Sequence, residues 1–247
     1  MLEFLKQRRT VRKYTDQKIP ADLLKQLLAA ACQSSNTGNM QAYSIVVTTR
    51  DDIKKQLAPA HFNQPMVTQA PVVLTFCADF NRFTKWCEQR NAEPGYDNFQ
   101  SFMATAIDAI IAAQTFCVAA ESAGLGICYL GTTTYNAQEI IDVLHLPKLV
   151  VPVTTITLGY PEVMPELTDR LPLEAVVHHE TYTDFSKAKI DELYQEKEAS
   201  EFYQNFVAEN KKETLAQVFT DIRYTKKNNE FFSEKFLQAL KQQGFWE

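Results

Sequence analysis

Positive charge is concentrated near the N-terminus, in the segment QRRTVRKYTD at positions 7 to 16. Four cations, Arg8, Arg9, Arg12 and Lys13, fall within six positions there. An arginine presents a planar fork of N–H donors that matches the oxygens of a phosphate, and Thr10 adds a hydroxyl within the same reach. A charge run is also typical of a solvated helix end, which is the simpler interpretation of these residues alone. Both interpretations stay open at this point.

A polar loop, SSNTGNMQ, follows an apolar predicted helix at positions 34 to 41. The loop offers more hydrogen-bond donors and acceptors than a helix C-cap requires, although Gly38 and Asn39 are residue types that suit such a cap. Its composition suits a ligand with a polar rim, such as a heteroaromatic ring system or a sugar chain. The loop is therefore a candidate ligand site, with a plain helix cap as the alternative.

A glycine-bearing turn, YLGTTT, directly follows an apolar predicted strand at positions 129 to 134. Ligands of layered α/β proteins commonly bind beyond the carboxyl ends of strands, so this turn is a second candidate. An ordinary strand-to-helix turn explains the same residues equally well.

The rest of the sequence contains no signature of a self-sufficient catalytic site. No G-x-G-x-x-G, G-x-x-x-x-G-K-[ST] or G-x-S-x-G motif occurs. His178 and His179 are adjacent and would face opposite sides of a strand, and we predict no metal site. Arg170 is a lone cation in a proline-rich segment, which is usually a surface position. If the protein is an enzyme, we expect a cofactor to carry the chemistry.

The chain of 247 residues has a formal net charge of −5 and a pI near 5.5. This acidity argues against broad binding of nucleic acid or of anionic membranes. The opening residues MLEFLKQRR contain no apolar signal-peptide region, and none of the five cysteines forms a C-x-x-C pair. We therefore expect a cytoplasmic protein with reduced cysteines.

Hydrophobic patterning predicts alternating helices and strands. The apolar stretch at 102–124 contains Asp108, Gln114 and Glu121, so we predict a buried core helix and not a membrane span, with Gly124 as its C-terminal cap. The elements together favour an α+β or α/β layer protein in which helices cover a mixed sheet. The predicted helices are 2–9, 20–34, a short one from Asp51, 80–90, 102–124 and 136–146, and the predicted strands are 44–49, 72–78, 126–131 and 153–160.

The composition changes after about residue 161, where prolines punctuate a loop. Beyond Asp184 the chain is rich in Lys, Glu and Gln, and its aromatic residues recur at helical spacing. We predict a core of residues 1–183 and a helical C-terminal extension of residues 184–247. The extension is expected to pack on the core and not to form an independent domain.

Taken together, these segments resemble the FMN-dependent nitroreductase and flavin reductase family, especially its larger NADPH-preferring, oxygen-insensitive branch. RRTVRKYTD is similar to the family's phosphate motif, with Thr10 in place of the usual Ser. CADFNR (77–82), AAESAGLGICYLG (119–131), LGYPEVMPELTDRLP (158–172) and LKQQGF (240–245) match as well, so the resemblance covers nearly the whole chain. It implies an α+β homodimer with a mixed central sheet and with FMN bound at the subunit interface.

The resemblance also implies roles for individual residues. The arginines and Thr10 would hold the ribityl chain and phosphate, and the Asn36–Thr37–Gly38 loop would come from the partner subunit. Cations of the extension, Lys211, Lys212 and Arg223, would bind the NADPH phosphate, although a solvated helix face explains them too. The residues expected to bind FMN are Arg8, Arg9, Thr10, Arg12, Ser35, Asn36, Thr37, Gly38, Gln64, Met66, Tyr129, Leu130, Gly131, Thr132 and Arg170.

The sequence departs from the family pattern at two expected FMN contacts. Thr168 stands where the branch often has Lys, which removes one cation from the phosphate. Thr132 stands where a second Gly is common, which adds a side chain close to the flavin edge.

The resemblance implies a ping-pong oxidoreductase that uses NADPH or NADH and a small-molecule acceptor such as a nitroarene, a quinone or free flavin. A flavin carrier or sensor without efficient turnover is the alternative. Binding of single-stranded nucleic acid through the N-terminal cations is a third possibility, but it needs a longer basic groove.

Overall fold

The computed structural model describes residues 1–246 and has an α+β architecture, as predicted. The chain divides into two compact units. The first unit comprises Met1–Glu166 together with the residues from Phe232 onward, and the second comprises Leu167–Phe231. The division into a core of 1–183 and an extension of 184–247 stays a prediction.

The helices and strands follow the predicted alternation. The strands are β1 (Tyr43–Thr48), β2 (Val72–Asp79), β3 (Gly126–Leu130) and β4 (Val150–Gly159). The helices before residue 166 are α1 (Leu2–Lys6), α2 (Ala21–Ala31), α3 (Asp51–Leu57), α4 (Pro65–Gln69), α5 (Asn81–Glu88), α6 (Phe99–Ser122) and α7 (Ala137–Leu144). They are followed by α8 (Lys187–Ala199), α9 (Glu201–Glu209), α10 (Leu215–Val218) and α11 (Lys226–Gln243), the last of which contributes residues to both units.

The four strands form one sheet in the order β1-β2-β4-β3, and every neighbouring pair is antiparallel. The prediction of a mixed sheet is therefore corrected. β2 and β3, which α5 and α6 connect, run in the same direction, but β4 lies between them and opposes both. Apolar runs locate strands, but strand direction depends on how the connections cross the sheet.

The long helix α6 forms the centre of the first unit, as predicted. Its Ala109, Ala113 and Phe116 are fully buried, and Phe116 meets Phe76 of β2 edge to face at 6.1 Å. Small alanine side chains let the helix approach the sheet closely. By length and composition α6 could cross a membrane, but half of its most apolar stretch is buried inside the protein. Gly124 follows the helix with φ of +79°, which is the conformation expected of its C-terminal cap.

The N-terminal helix is shorter than predicted, and this changes the interpretation of the basic segment. α1 ends at Lys6 and not at residue 9, so the arginines are not helical. A helix would have placed Arg8 beside Arg12 as a like-charged pair, which is unfavourable. The segment instead leaves the helix and runs along β3, and the solvated helix end is therefore excluded.

Candidate active site

The basic segment lies along the free edge of β3. The backbone N–H of Val11 donates to the carbonyl of Ile127 at 2.9 Å. The hydroxyl of Tyr14 contacts both the Val11 carbonyl and Thr157 Oγ1 at 2.7 Å. An edge strand carries unpaired backbone groups, and covering them also fixes the path of the chain that covers them. The arginines on either side of Val11 are therefore held at defined positions.

The close approach of this segment depends on Gly126 at the start of β3. A Cβ atom at Gly126 would lie 2.6 Å from Cβ of Val11, whereas a Cβ at Gly95 would meet nothing within 4 Å. We expect Gly126→Ala to displace the segment and to lower the free energy of unfolding by about 1–3 kcal/mol. Urea unfolding measures this, with Gly95→Ala as the matched control. Equal stability of the two variants would contradict the packing described.

The arginines differ in how they are partnered. Arg8 Nε donates to Glu121 Oε2 of α6 at 3.0 Å, so much of its charge is balanced. Burial raises the pKa of Glu121, and Arg8 opposes that shift. Arg8 Nη2 and Arg9 Nε are buried and have no hydrogen-bond partner among the described residues, while Arg12 is exposed. Buried N–H donors normally have an acceptor, so this donor set fits an anion such as a phosphate.

Residues from three segments meet in one apolar cluster beside the β3 edge. The cluster includes Val11 of the basic segment, Met66 of α4 and Leu130 at the end of β3. Tyr129 points to the opposite face, where its hydroxyl contacts Gln114 Oε1 of α6 at 3.3 Å. The structure thus brings Met66 and Leu130 together but places the Tyr129 side chain elsewhere, as alternation along a strand requires.

The turn after β3 is attached to the segment that precedes Gln64. Thr132 Oγ1 is 2.8 Å from Nδ1 of His61, and Asn136 Nδ2 donates to the carbonyl of Ala60 at 2.8 Å. Burial lowers the pKa of His61 to about 4, so its imidazole is neutral at pH 7. Sequence reasoning gave His61 no role. No local sequence pattern could have revealed its contact with Thr132, because the two residues are 71 positions apart.

The polar loop is anchored on α6 by a buried carboxylate. Asp108 is only 2% exposed, and it accepts hydrogen bonds from the backbone N–H and the hydroxyl of Thr37, all at 3.0 Å. Asn36 Oδ1 accepts from the Gln41 backbone N–H, and Gly38 has φ of +55°, which glycine tolerates. Ser35, Thr37 and Gly38 are exposed. The sequence marked Asp108 only as a charge within an apolar helix, and its anchoring role was missed.

One chain does not bring this loop to the basic segment. The loop is anchored at Asp108 and Arg8 is bonded at Glu121, which lie 13 positions apart on the same helix. At 1.5 Å per residue this is about 20 Å along the axis. In a single copy, therefore, the polar loop and the basic segment lie apart, and each provides one half of the predicted FMN site.

The remaining predicted residues belong to the second unit. Arg170 is exposed, and its Nη1 donates to the carbonyls of Thr168 and Asp169. Lys212 pairs with Asp221 at 2.9 Å, and Arg223 lies over the ring of Phe206 at 5.0 Å. Lys211 is exposed.

A cleft of about 990 Å³ in the first unit is lined by none of the residues expected to bind FMN. Its cations Lys13, Lys18 and Lys54 are matched by the same number of acidic residues. Lys54 is already bonded to the Ala70 carbonyl and to Asp51. None of the buried, unpartnered donors found beside β3 lines this cleft. Within residues 1–246, no cluster of three or more His, Cys, Asp or Glu side chains is suited to a metal.

Comparison with known proteins gives consistent matches. The sequence profile of the nitroreductase family matches residues 5–160. An oxygen-insensitive NADPH nitroreductase from Salmonella typhimurium is 32% identical over 99% of this chain and 97% of that protein. An FMN reductase (NADPH) from Bacillus subtilis is 34% identical over 73% of this chain and 74% of its own length. A crystal structure from Bacteroides fragilis NCTC 9343 superimposes with a TM-score of 0.98 at 57% identity, covering 99% of this chain and 100% of that one.

Proposed function

The chain belongs to the nitroreductase family and is an FMN-dependent NAD(P)H oxidoreductase, and we propose that it passes electrons by ping-pong hydride transfer to nitroaromatics, quinones or free flavin. The observation that carries the proposal is the pair of buried, unpartnered guanidinium nitrogens of Arg8 and Arg9 beside β3. A carrier without turnover is not favoured, because the relatives are reductases. Five free thiols agree with the proposed cytoplasmic location.

The protein's part in this reaction is to bind and to position. FMN, when bound, would supply the redox chemistry between the nicotinamide and the acceptor. Arg9, Arg12 and Thr10 are proposed to bind its phosphate, and Gln64 with the Gly131 turn to contact the ring. Leu130, which directly precedes that turn, packs in the same apolar cluster as Met66. The roles of Arg170 and of the cations Lys211, Lys212 and Arg223 stay predictions.

We propose a homodimer as the working form. A single copy separates the Asn36 loop from the basic segment by about 20 Å of helix, so a second copy is needed to complete the site. α6 also exposes an apolar stripe at helical spacing, which is the kind of surface that a partner covers. The stripe consists of Phe99, Met103, Ile107, Ile110 and Ile111.

The test of the proposed function is an anaerobic visible spectrum before and after addition of NADPH, repeated with NADH. We expect a yellow protein that bleaches and then recovers with a nitroarene or a quinone, with NADPH the better donor. A yellow protein that neither coenzyme bleaches would support the carrier instead. A colourless protein that FMN cannot reconstitute would remove the cofactor assignment.

Adding a methyl group at Gly131 tests whether the flavin ring of FMN lies against the turn after β3. A Cβ at Gly131 would meet nothing within 4 Å, so Gly131→Ala is expected to leave the thermal stability of the apoprotein unchanged. If the ring lies against this turn, the methyl group will lower FMN affinity by about 5- to 100-fold. Titration of the apoprotein with FMN measures the effect, with Gly95→Ala as control. Unchanged affinity would place the ring elsewhere.

A further inference from the structure

We propose that His61 is a positioning residue for the flavin: its imidazole holds the Gly131–Thr132 turn at a fixed distance from the Gln64 segment. The proposal rests on the proposed function, because both segments are expected to contact the ring. His61 itself would touch neither coenzyme nor acceptor. It would act through Thr132.

Two hydrogen bonds connect the turn after β3 to the segment that precedes Gln64. Thr132 Oγ1 lies 2.8 Å from His61 Nδ1, and Asn136 Nδ2 donates to the Ala60 carbonyl at 2.8 Å. His61 and Thr132 are both buried, at 0% and 9% exposure, so water does not compete for the bond between them. The two bonds cross-link a short helical turn, Pro59–His61, to the residues that follow β3.

The path from His61 to Gln64 is tightly constrained as well. Phe62 and Asn63 both have positive φ, of 52° and 54°, which is uncommon for residues other than glycine. The backbone N–H of Gln64 donates to the His61 carbonyl at 3.1 Å. A change in the position of His61 would therefore move Gln64 too.

The same bond decides where the Thr132 side chain points. Glycine is common at this position in the family, and a side chain there was expected to crowd the flavin edge. Because the hydroxyl is bonded to a fully buried ring, the side chain is directed into the protein. Gly131, which is exposed, then forms the accessible part of the turn. In this chain His61 thus makes a threonine compatible with an open flavin edge.

The experiment compares Thr132→Val, which keeps the side-chain shape but removes the hydroxyl, with Thr132→Ser, which retains it. The readouts are the FMN dissociation constant, the midpoint potential of the bound flavin and its rate of reduction by NADPH in single turnover. We expect the valine variant to be reduced about 5- to 50-fold more slowly with a shifted potential, because it leaves a buried His61 nitrogen unpaired. The serine variant should be reduced faster than the valine variant and with a smaller shift of potential, because it retains the hydroxyl that contacts His61. We also measure the two single variants and the double variant His61→Asn, Thr132→Val. The factor by which the double variant slows reduction should be smaller than the product of the two single factors, since both changes break the same hydrogen bond.

A purely structural role would give a different result. If Thr132→Val lowers the melting temperature but leaves the potential, the dissociation constant and the reduction rate unchanged, the positioning role is overturned. Failure of the unsubstituted protein to bind FMN or to be reduced would instead overturn the proposed function, and the inference with it. The decision rests on the two Thr132 variants, so a His61 variant that fails to fold does not block the test.

Discussion

Arg9→Gln is expected to weaken FMN binding by about 10- to 100-fold while the apoprotein keeps its stability. Arg9 Nε is buried without a partner among the described residues, and the remaining contact of its guanidinium is a 3.5 Å approach to Gln7. A hydrogen bond to a charged group contributes about 1.5–3 kcal/mol, which corresponds to this loss of affinity. Quenching of FMN fluorescence on binding gives the dissociation constant, and chemical unfolding of the apoprotein gives the stability.

Two further substitutions make this prediction specific. Arg90→Gln removes the same charge from an exposed position outside the predicted site and should leave FMN affinity unchanged. Arg8→Gln should behave differently from Arg9→Gln, because it leaves the partly buried Glu121 carboxylate without its cation and so destabilises the apoprotein as well. If Arg9→Gln binds FMN normally, the basic segment does not bind the phosphate.

Asp108→Ala is expected to lower the free energy of unfolding by about 2–4 kcal/mol and to weaken FMN binding. The buried carboxylate accepts from the backbone N–H and the hydroxyl of Thr37, and its removal breaks these hydrogen bonds to a charged group. The loop from Ser35 to Gly38 then loses its anchor on α6. Urea unfolding measures the stability, and sedimentation of the same samples measures the oligomeric state.

The control for this change is Asp97→Asn, which alters an exposed carboxylate just before α6. It should change neither stability nor FMN affinity. If the loop contributes to a site shared by two copies, Asp108→Ala should lower FMN affinity by more than the loss of stability of each copy can explain. Normal FMN affinity in a destabilised variant would separate the loop from the cofactor site.

Local sequence patterns located most of the secondary structure. Short apolar runs, β-branched in the first strand, predicted all four strands within a few residues, because such side chains pack well on a pleated surface. The apolar, alanine-rich stretch predicted the core helix, and Gly124 marked its end. The prediction was wrong for strand pairing, since each strand is apolar whichever neighbour it has. It was also wrong for the end of α1, because bonding of Val11 to β3 overrides the local preference for helix.

The sequence by itself determined the α+β class, the positions of the elements and the concentration of arginines near the N-terminus. Each of these follows from residue type and short spacing. Only the tertiary structure decided which cations keep unpartnered donors, that Asp108 anchors the polar loop, and that His61 meets Thr132. These contacts join residues separated by 71 positions or more, such as Thr37 with Asp108 and Arg8 with Glu121. Such pairs leave no periodic signal along the chain, because their distance is set by the packing of α6 and the sheet.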